Sequence, residues 1–536
     1  MTRIPDTSAV DALSSPIVLP CGRRVPNRLV KAALEELLSL DRLPDARFNR
    51  LYRAWSEGGF GMILSGNVQV SPKHLGLPFD VAVPEELVDG SPYGSARRAA
   101  AAARFTAWAS AMATDDRDTQ PVRILQLNHP GRQSMRVGTG RALSFSSSDV
   151  PTLAPSAVRM TAGTGSVADL IARVVWEKPK AMDARDVDAV VEQFRTGARW
   201  ARETGWDGVE LHASHGYLLS QFLSPHTNRR TDEFGGTARK RLELLLRIAD
   251  AIRLDHPLES GFVLGVKLNA SDYIVRLGSF VDFDPSQLIA SLFENGQKGG
   301  LSEDDALDNV RWISEHGGFD FIEISGGSYE APQFLSTKAS TLKREAFFAE
   351  FASRARGMLQ ELEEASRLPG PKPLILLTGG FRTRRGMHRA LDDTATDLVG
   401  IGRPAAVDPG FARKLVDPTV PDEDATMPTY DPGAGGTILG TIFGWLTLVG
   451  PSLDVFYHTM HMHSVAFGRC ERAGTSPVGD DDSHTVRPAR LVPFSTLARR
   501  TYVDRAISPR AQLVALCVTV GLLSWCCLSL AGLSRR

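Results

Sequence analysis

The stretch Gly205–Gly236, GWDGVELHASHGYLLSQFLSPHTNRRTDEFGG, sets the terms for the rest of the chain. It opens on a short apolar run, Asp207–Leu211, with the length and composition of a buried strand. His212, His215 and Tyr217 follow within one tight turn, and a Ser/Pro/Asn/Arg-rich loop then leads to a double glycine. Three hydrogen-bonding side chains directly after an apolar strand describe a site at a strand's C-terminal end. The HxxH spacing alone is weak, because two histidines in a loop are more often surface or core residues than ligands.

Working outward, similar short runs recur. They are Asn27–Leu34, Gly59–Val70, Pro121–Gln133, Gly261–Asn269, Phe319–Gly327, Pro373–Phe381 and Thr396–Pro404. Each is apolar and gives way to Gly, Asn, His or Gln at its end. Helical segments separate most of them. Ala46–Gly58 has helical apolar spacing and a glycine stop, Ser95–Ala113 is Ala-rich, and Asp183 with Asp186 opens an amphipathic run that ends on Gly205. A further helix is expected around Arg239–Arg253. The alternation predicts a parallel sheet, and eight units predict a closed (β/α)8 TIM barrel with its site on the C-terminal face. The Gly/Ser/Thr/Pro-rich segment 134–175 is expected to be irregular and to lie over that site. No GxGxxG follows a strand and no GxxxxGK[ST] occurs, which argues against a Rossmann domain or P-loop.

A net charge of −1 leaves no basic footprint for nucleic acid. The cysteines are Cys21, Cys470, Cys517, Cys526 and Cys527, none in CxxC spacing, which favours a reducing compartment. Residues 1–16 lack the apolar core of a signal peptide. Ala511–Leu533 carries no charged residue, and at helical rise it would span roughly 34 Å, enough for a bilayer core. Arg505, Arg510, Arg535 and Arg536 flank it. The expectation is a C-terminal single-pass membrane helix, a tail anchor with the catalytic domain in the cytosol; a buried helix is the alternative, but the run lacks a polar face. The expected organisation is a barrel with closing helices over 1–470, a polar flexible linker over 471–510 and the anchor over 511–533.

Two strand ends point to an anion. Thr378-Gly379-Gly380-Phe381 and Gly400-Ile401-Gly402-Arg403-Pro404 put glycines where backbone N–H groups can approach a phosphate, with Arg403 as a charged partner. Ordinary strand-to-helix glycines are the plain alternative; the pair of loops together with an arginine favours phosphate.

HASHGYLLSQFLSPHTNRRTDEFGG, His212–Gly236, closely resembles the fourth strand and following loop of the Old Yellow Enzyme family of FMN-dependent ene-reductases. The resemblance runs from Ser14 to Arg469. It implies that Ala33 and Leu34 pack on and hydrogen-bond the flavin ring, that Gly66 lies against it, and that the Gln126 amide pairs with its pyrimidine edge. Lys267 stands where the family usually has arginine and would supply a cation at the N1/C2 edge. Gly380, Gly402 and Arg403 match residues that hold the FMN phosphate. His212 and His215 match the pair that binds a carbonyl oxygen, and Tyr217 the proton donor. Glu35 departs from the family's Thr or Cys near the flavin C4 carbonyl. Ionised there, it would disfavour the reduced flavin; protonated or turned away, it would not.

The implied cofactor is FMN, with NADPH or NADH as co-substrate docking at the substrate site. The implied activity is hydride transfer through FMN to the C=C bond of an α,β-unsaturated carbonyl compound, and the anchor suggests a hydrophobic enone of specialised metabolism. Two competing readings are an NAD(P)H oxidase that reduces oxygen and a catalytically silent, membrane-tethered FMN-binding protein. The iron–sulphur branch of the family needs a cysteine cluster after the barrel, where this chain has only Cys470. His458, His461 and His463 could bind a metal, but no cysteine or carboxylate cluster accompanies them. A homo-oligomer is compatible with the sequence.

Overall fold

The computed structural model describes residues 7–77, 79–88, 96–135, 150–161, 166–272, 300–326, 348–392, 396–427 and 449–468. Among them, eight parallel strands close into a barrel: β1 (Leu29–Lys31), β2 (Met62–Leu64), β3 (Val122–Asn128), β4 (Gly208–Ala213), β5 (Val263–Asn269), β6 (Phe321–Ser325), β7 (Leu374–Thr378) and β8 (Leu398–Ile401). The last seam joins β8 to β1, with Val399, Gly400 and Ile401 opposite Leu29, Val30 and Lys31. Helices α1 (Ala46–Glu57), α2 (Ala96–Ser110), α3 (Ala184–Glu203), α4 (Glu243–Asp255), α5 (Glu303–His316), α6 (Ala349–Glu364), α7 (Arg384–Asp392) and α8 (Arg403–Val407) alternate with the strands. A closing helix, α9 (Val449–Ala466), packs on α1 and α8.

Local chemistry sets the helix starts. Asp45 caps α1 by accepting from the Arg47 N–H at 2.8 Å, and the helix buries Phe48, Leu51, Tyr52 and Trp55. Asp183 and Asp186 form the expected capping box on α3. Ser166–Val175 is helical, inside the segment expected to be irregular.

The strands alternate with a period of two. Leu125, Leu127, Val209, Leu211, Leu264, Val266, Ile322, Ile324, Ile375 and Leu377 face the helices. Val30, Met62, Leu64, Ile124, Val263, Phe321, Leu376 and Leu398 fill the barrel floor. Gly265 leaves room for the Phe321 ring, since a Cβ there would lie 2.1 Å from the ring. Above this floor the interior turns polar, with Gln126, Glu210, Lys267 and Glu323 all buried.

At the opposite end, carboxylates brace alternate seams. Asp207, just before β4, accepts from the Arg123 N–H of β3 at 2.9 Å and also binds the Arg123 and Arg23 side chains. Asp320, just before β6, accepts from the Leu264 N–H of β5 at 2.8 Å, from Cys21 N–H at 2.7 Å and from Arg253 at 2.7 Å. Asp397, just before β8, accepts from the Ile375 N–H of β7 at 2.9 Å.

The expected membrane helix is corrected. Among the described residues no helix is long and apolar enough to cross a membrane. Of the long helices, α3 is amphipathic, with charge along one face, and α9 carries Asp454 and three histidines. Residues 511–533, on which the expectation rested, lie outside the described residues, as do 471–510. The anchor is therefore withdrawn, together with the membrane partner, the membrane location and the hydrophobic substrate inferred from it.

Asp320→Ala should destabilise the fold by about 3–5 kcal/mol, because it strands the buried Arg253 charge and two backbone donors. Urea denaturation followed by circular dichroism checks this.

Candidate active site

The turn after β4 is held in a conformation that its own sequence disfavours. His215 has φ +57° and Gly216 φ +75°, a left-handed pair that costs energy at the histidine. Neighbouring strand ends hold it. Asn269, at the end of β5, accepts from the His215 N–H at 3.2 Å and from Ser214 Oγ at 2.5 Å. Gln133, beyond β3, donates to the His215 carbonyl at 3.0 Å. Tyr217 then starts the short helix Leu218–Leu223, and Gln221 donates back to the Gly216 carbonyl at 2.8 Å.

The turn gathers His212, His215 and Tyr217. The His212 ring lies 5.1 Å from that of His215 and 4.8 Å from that of Tyr217. His212 Nδ1 accepts from the Ser214 N–H at 3.3 Å, so its proton sits on Nε2. His215 Nε2 meets Ser325 Oγ of β6 at 3.0 Å. Burial drives both imidazoles well below their ordinary range, and the Lys267 charge adds to it; for His212 the neighbouring His215 adds too. Both shifts favour the neutral imidazole.

Beneath the turn, the Gln126 amide donates to Glu210 Oε2 at 2.5 Å, and Lys267 Nζ pairs with Glu323 Oε1 at 2.8 Å. Burial, then the Glu323 charge, pushes the Glu210 carboxyl well up. Burial alone would raise Glu323, but the Lys267 charge together with hydrogen bonds from Glu210, Lys267 and Thr378 outweighs it and holds the carboxyl below its usual value. Around a single lysine the cluster thus sets two carboxyls of opposite tendency, Glu210 toward the acid and Glu323 toward the carboxylate. Neither Glu210 nor Glu323 was expected as a site residue. Their signal was present in VELH and IEIS, a polar residue at every second position of an otherwise apolar strand.

Across the mouth, Ala33, Leu34 and Glu35 are half-buried at the end of β1. Glu35 turns toward the site. Its Oε1 accepts from Tyr217 Oη at 2.8 Å and from Asn67 Nδ2 at 2.5 Å. Glu36 points the other way, accepting from Tyr52 Oη and from the Gly66 N–H. Gly66 is tightly enclosed, since a Cβ there would lie 2.2 Å from Glu36 Oε2 and 2.4 Å from the Leu34 carbonyl. His463 of α9 donates through Nε2 to the Glu36 carbonyl at 2.8 Å, tying the β1 loop to the closing helix.

The ends of β7 and β8 complete the mouth. Gly379, Gly380, Gly402 and Arg403 are half-buried; Gly380 has φ +76°, and Gly402 caps α8. Among the described residues, a Cβ at Gly402 would meet only Leu34, at 3.6 Å, so this backbone has room for a ligand beside Leu34. Open glycine backbone, a helix start and an arginine suit a phosphate, and the polar interior and the His–His–Tyr turn suit a polar ring system beside it. The residues present fit a flavin mononucleotide.

A closed (β/α)8 barrel with this mouth defines a flavin-dependent oxidoreductase. The chain belongs to the NADH:flavin oxidoreductase / NADH oxidase family, whose profile matches residues 118–315. It is 34% identical over 430 residues to NADH-dependent flavin oxidoreductase iliE of Hypocrea jecorina (strain QM6a), covering 78% of this chain and 92% of that one. It is 36% identical over 412 residues to NADH-dependent flavin oxidoreductase iccE of Talaromyces variabilis, covering 75% and 86%. A relative from Neonectria sp. (strain DH2), also an iliE, is 37% identical over 430 residues, 77% of this chain, and the chain spans 49% of its length. Among solved structures, a 2-naphthoyl-CoA reductase complex superposes with TM-score 0.60 at 19% identity, covering 84% of this chain and 59% of that one. Morphinone reductase superposes with TM-score 0.51 at 21% identity, covering 75% and 89%. The protein is an enzyme of flavin-dependent redox chemistry that uses FMN and NAD(P)H.

At about pH 6, where a free histidine is largely protonated, His212 and His215 should both remain neutral. Nitrogen-15 chemical shifts of the imidazoles, assigned by His212→Asn and His215→Asn, check this.

Proposed function

We propose that the enzyme reduces the C=C bond of α,β-unsaturated carbonyl compounds. The observation that carries this reading is the buried His212 and half-buried His215, both held toward the neutral imidazole, with the buried Tyr217 phenol in one braced turn. FMN held here would supply hydride transfer from NAD(P)H to the β-carbon of the substrate. Arg403 and the Gly380 and Gly402 backbones would hold its phosphate. Ala33, Leu34, Gly66, Gln126 and Lys267 would line its ring. Lys267 would do so as half of an ion pair with Glu323, which compensates part of its charge.

The substrate steps fall to the turn. His212 donates from Nε2 to the carbonyl oxygen, and His215, steadied by Ser325, completes the cradle. Being neutral, the two rings polarise the oxygen by hydrogen bonding, and their bonds strengthen as negative charge develops there. Tyr217 supplies the proton to the α-carbon. The α-carbon gains a proton and the β-carbon a hydride, which balances NAD(P)H plus one proton.

Tyr217→Phe should be reduced by NAD(P)H at the wild-type rate, yet lose on the order of 10²- to 10⁴-fold in reoxidation by a poorly activated enone. Anaerobic stopped-flow measures both halves. Equal reoxidation rates, or fast peroxide formation with no enone preference, would overturn the assignment. Arg403→Ala should weaken FMN binding by about 10- to 150-fold, the worth of a hydrogen bond to a charged group. Fluorescence titration of the apoprotein with FMN reads this directly.

A further inference from the structure

Glu35 and Tyr217 lie 182 residues apart in sequence and share a hydrogen bond of 2.8 Å, with Tyr217 Oη donating to Glu35 Oε1. Asn67 completes a triangle, donating to Glu35 Oε1 at 2.5 Å and to Tyr217 Oη at 3.2 Å. A phenol has one proton to give and two lone pairs to receive. While Glu35 is a carboxylate, the Tyr217 proton is directed at it, and Asn67 occupies one lone pair. A substrate carbon needs that same proton.

We infer that Glu35 is a positioning residue that decides where Tyr217 aims its proton: the carboxylate holds the phenol O–H away from substrate, and the carboxylic acid releases it. Once protonated, Glu35 becomes the donor and fills the second lone pair of the Tyr217 oxygen. The phenol O–H is then turned outward to the substrate. After transfer, the phenolate accepts hydrogen bonds from Glu35 and Asn67, the two groups needed to stabilise it before solvent restores its proton. The inference rests on the reading of Tyr217 as proton donor and deepens it.

The surroundings of Glu35 favour the acid form. Glu36 follows it on the same loop. Asp80 faces it from the segment after β2, already accepting from Gln69 Nε2 at 2.8 Å and from the Gly76 and Leu77 N–H groups at 2.9 Å. Asn67 and Tyr217 contact it directly, and His212, neutral, lies behind Tyr217. Burial raises the Glu35 carboxyl above the usual carboxylate range; the Tyr217 and Asn67 hydrogen bonds oppose this and the Glu36 charge adds to it. Burial, then the Glu35 charge, lifts Asp80 as well. The sign follows directly. The productive acid form of Glu35 prevails below its raised ionisation and is lost as pH rises through it.

The test uses the FMN-loaded enzyme, reduced anaerobically and mixed with 2-cyclohexenone from about pH 5 to 9. In the wild type the reoxidation rate should fall about tenfold per pH unit above the Glu35 ionisation, as for any single required proton. E35Q is neutral at every pH and can still donate to the Tyr217 oxygen; E35T is too short to hold the phenol. Both should lose the falling limb and react at least about tenfold faster than wild type at the alkaline end. The infrared carbonyl band of a protonated carboxyl should disappear on the wild-type titration over the same pH interval and be missing in E35Q. If both variants keep the wild-type limb while Tyr217→Phe is slow, the role of Glu35 is overturned and that of Tyr217 stands. If Tyr217→Phe reacts like wild type, the proton-donor reading beneath the inference fails.

Discussion

A parallel sheet of eight strands has to close, and every seam must satisfy the backbone groups at its ends. In this chain, aspartates brace alternate seams from below. Asp207, Asp320 and Asp397 stand immediately before β4, β6 and β8 and reach back to an N–H of the preceding strand. A one-residue slip would take each carboxylate from its donor and turn the polar interior positions outward. The pairing of Glu210 with Gly265 and of Lys267 with Glu323 depends on that register. So does the meeting of Ser325 with His215. The chemistry at the top of the barrel is thus indexed by ion pairs at its base.

Much of the barrel was legible because period and punctuation agreed. Short β-branched runs ended in glycine or polar residues, and Asp183 with Asp186 announced α3. The aspartate that precedes three of the strands, in WDGVEL, FDFIEI and TDLVGI, is a repeat visible only once its purpose is known. Ser166–Val175 was missed because its Gly/Ser/Thr-rich surroundings outweighed a short amphipathic pattern. The membrane reading came from hydropathy over a single window, which measures composition and carries no information about packing.

The site divided differently. His212, His215 and Tyr217 were readable because they sit in one continuous stretch. Asn269, Gln133 and Ser325, which hold that stretch in its strained shape, come from three other strand ends, and their relation to it is purely spatial. Glu35 could not be placed from sequence, since its direction depends on Glu36 being drawn the opposite way by Tyr52 and Gly66. Two acidic groups consequently flank the mouth. One, Glu210 and Glu323, is tied to Lys267; the other, Glu35 with Glu36 and Asp80, is satisfied chiefly by hydrogen bonds. A buried carboxyl without a paired cation takes up a proton far more readily than one beside lysine: Glu35 and Asp80 favour the acid form, as does Glu210, while Glu323, paired with Lys267, is held toward the carboxylate.

The contact from His463 to the Glu36 carbonyl joins residues 427 positions apart. It gives the site a place in time. At roughly 5–20 residues per second of synthesis, the β1 loop waits on the order of 20 to 85 seconds for its partner to be made. For most of that interval β8 is also missing, and β1 presents an open strand edge to other chains. The loop that carries Glu35 gains this tether only after β8 has been made.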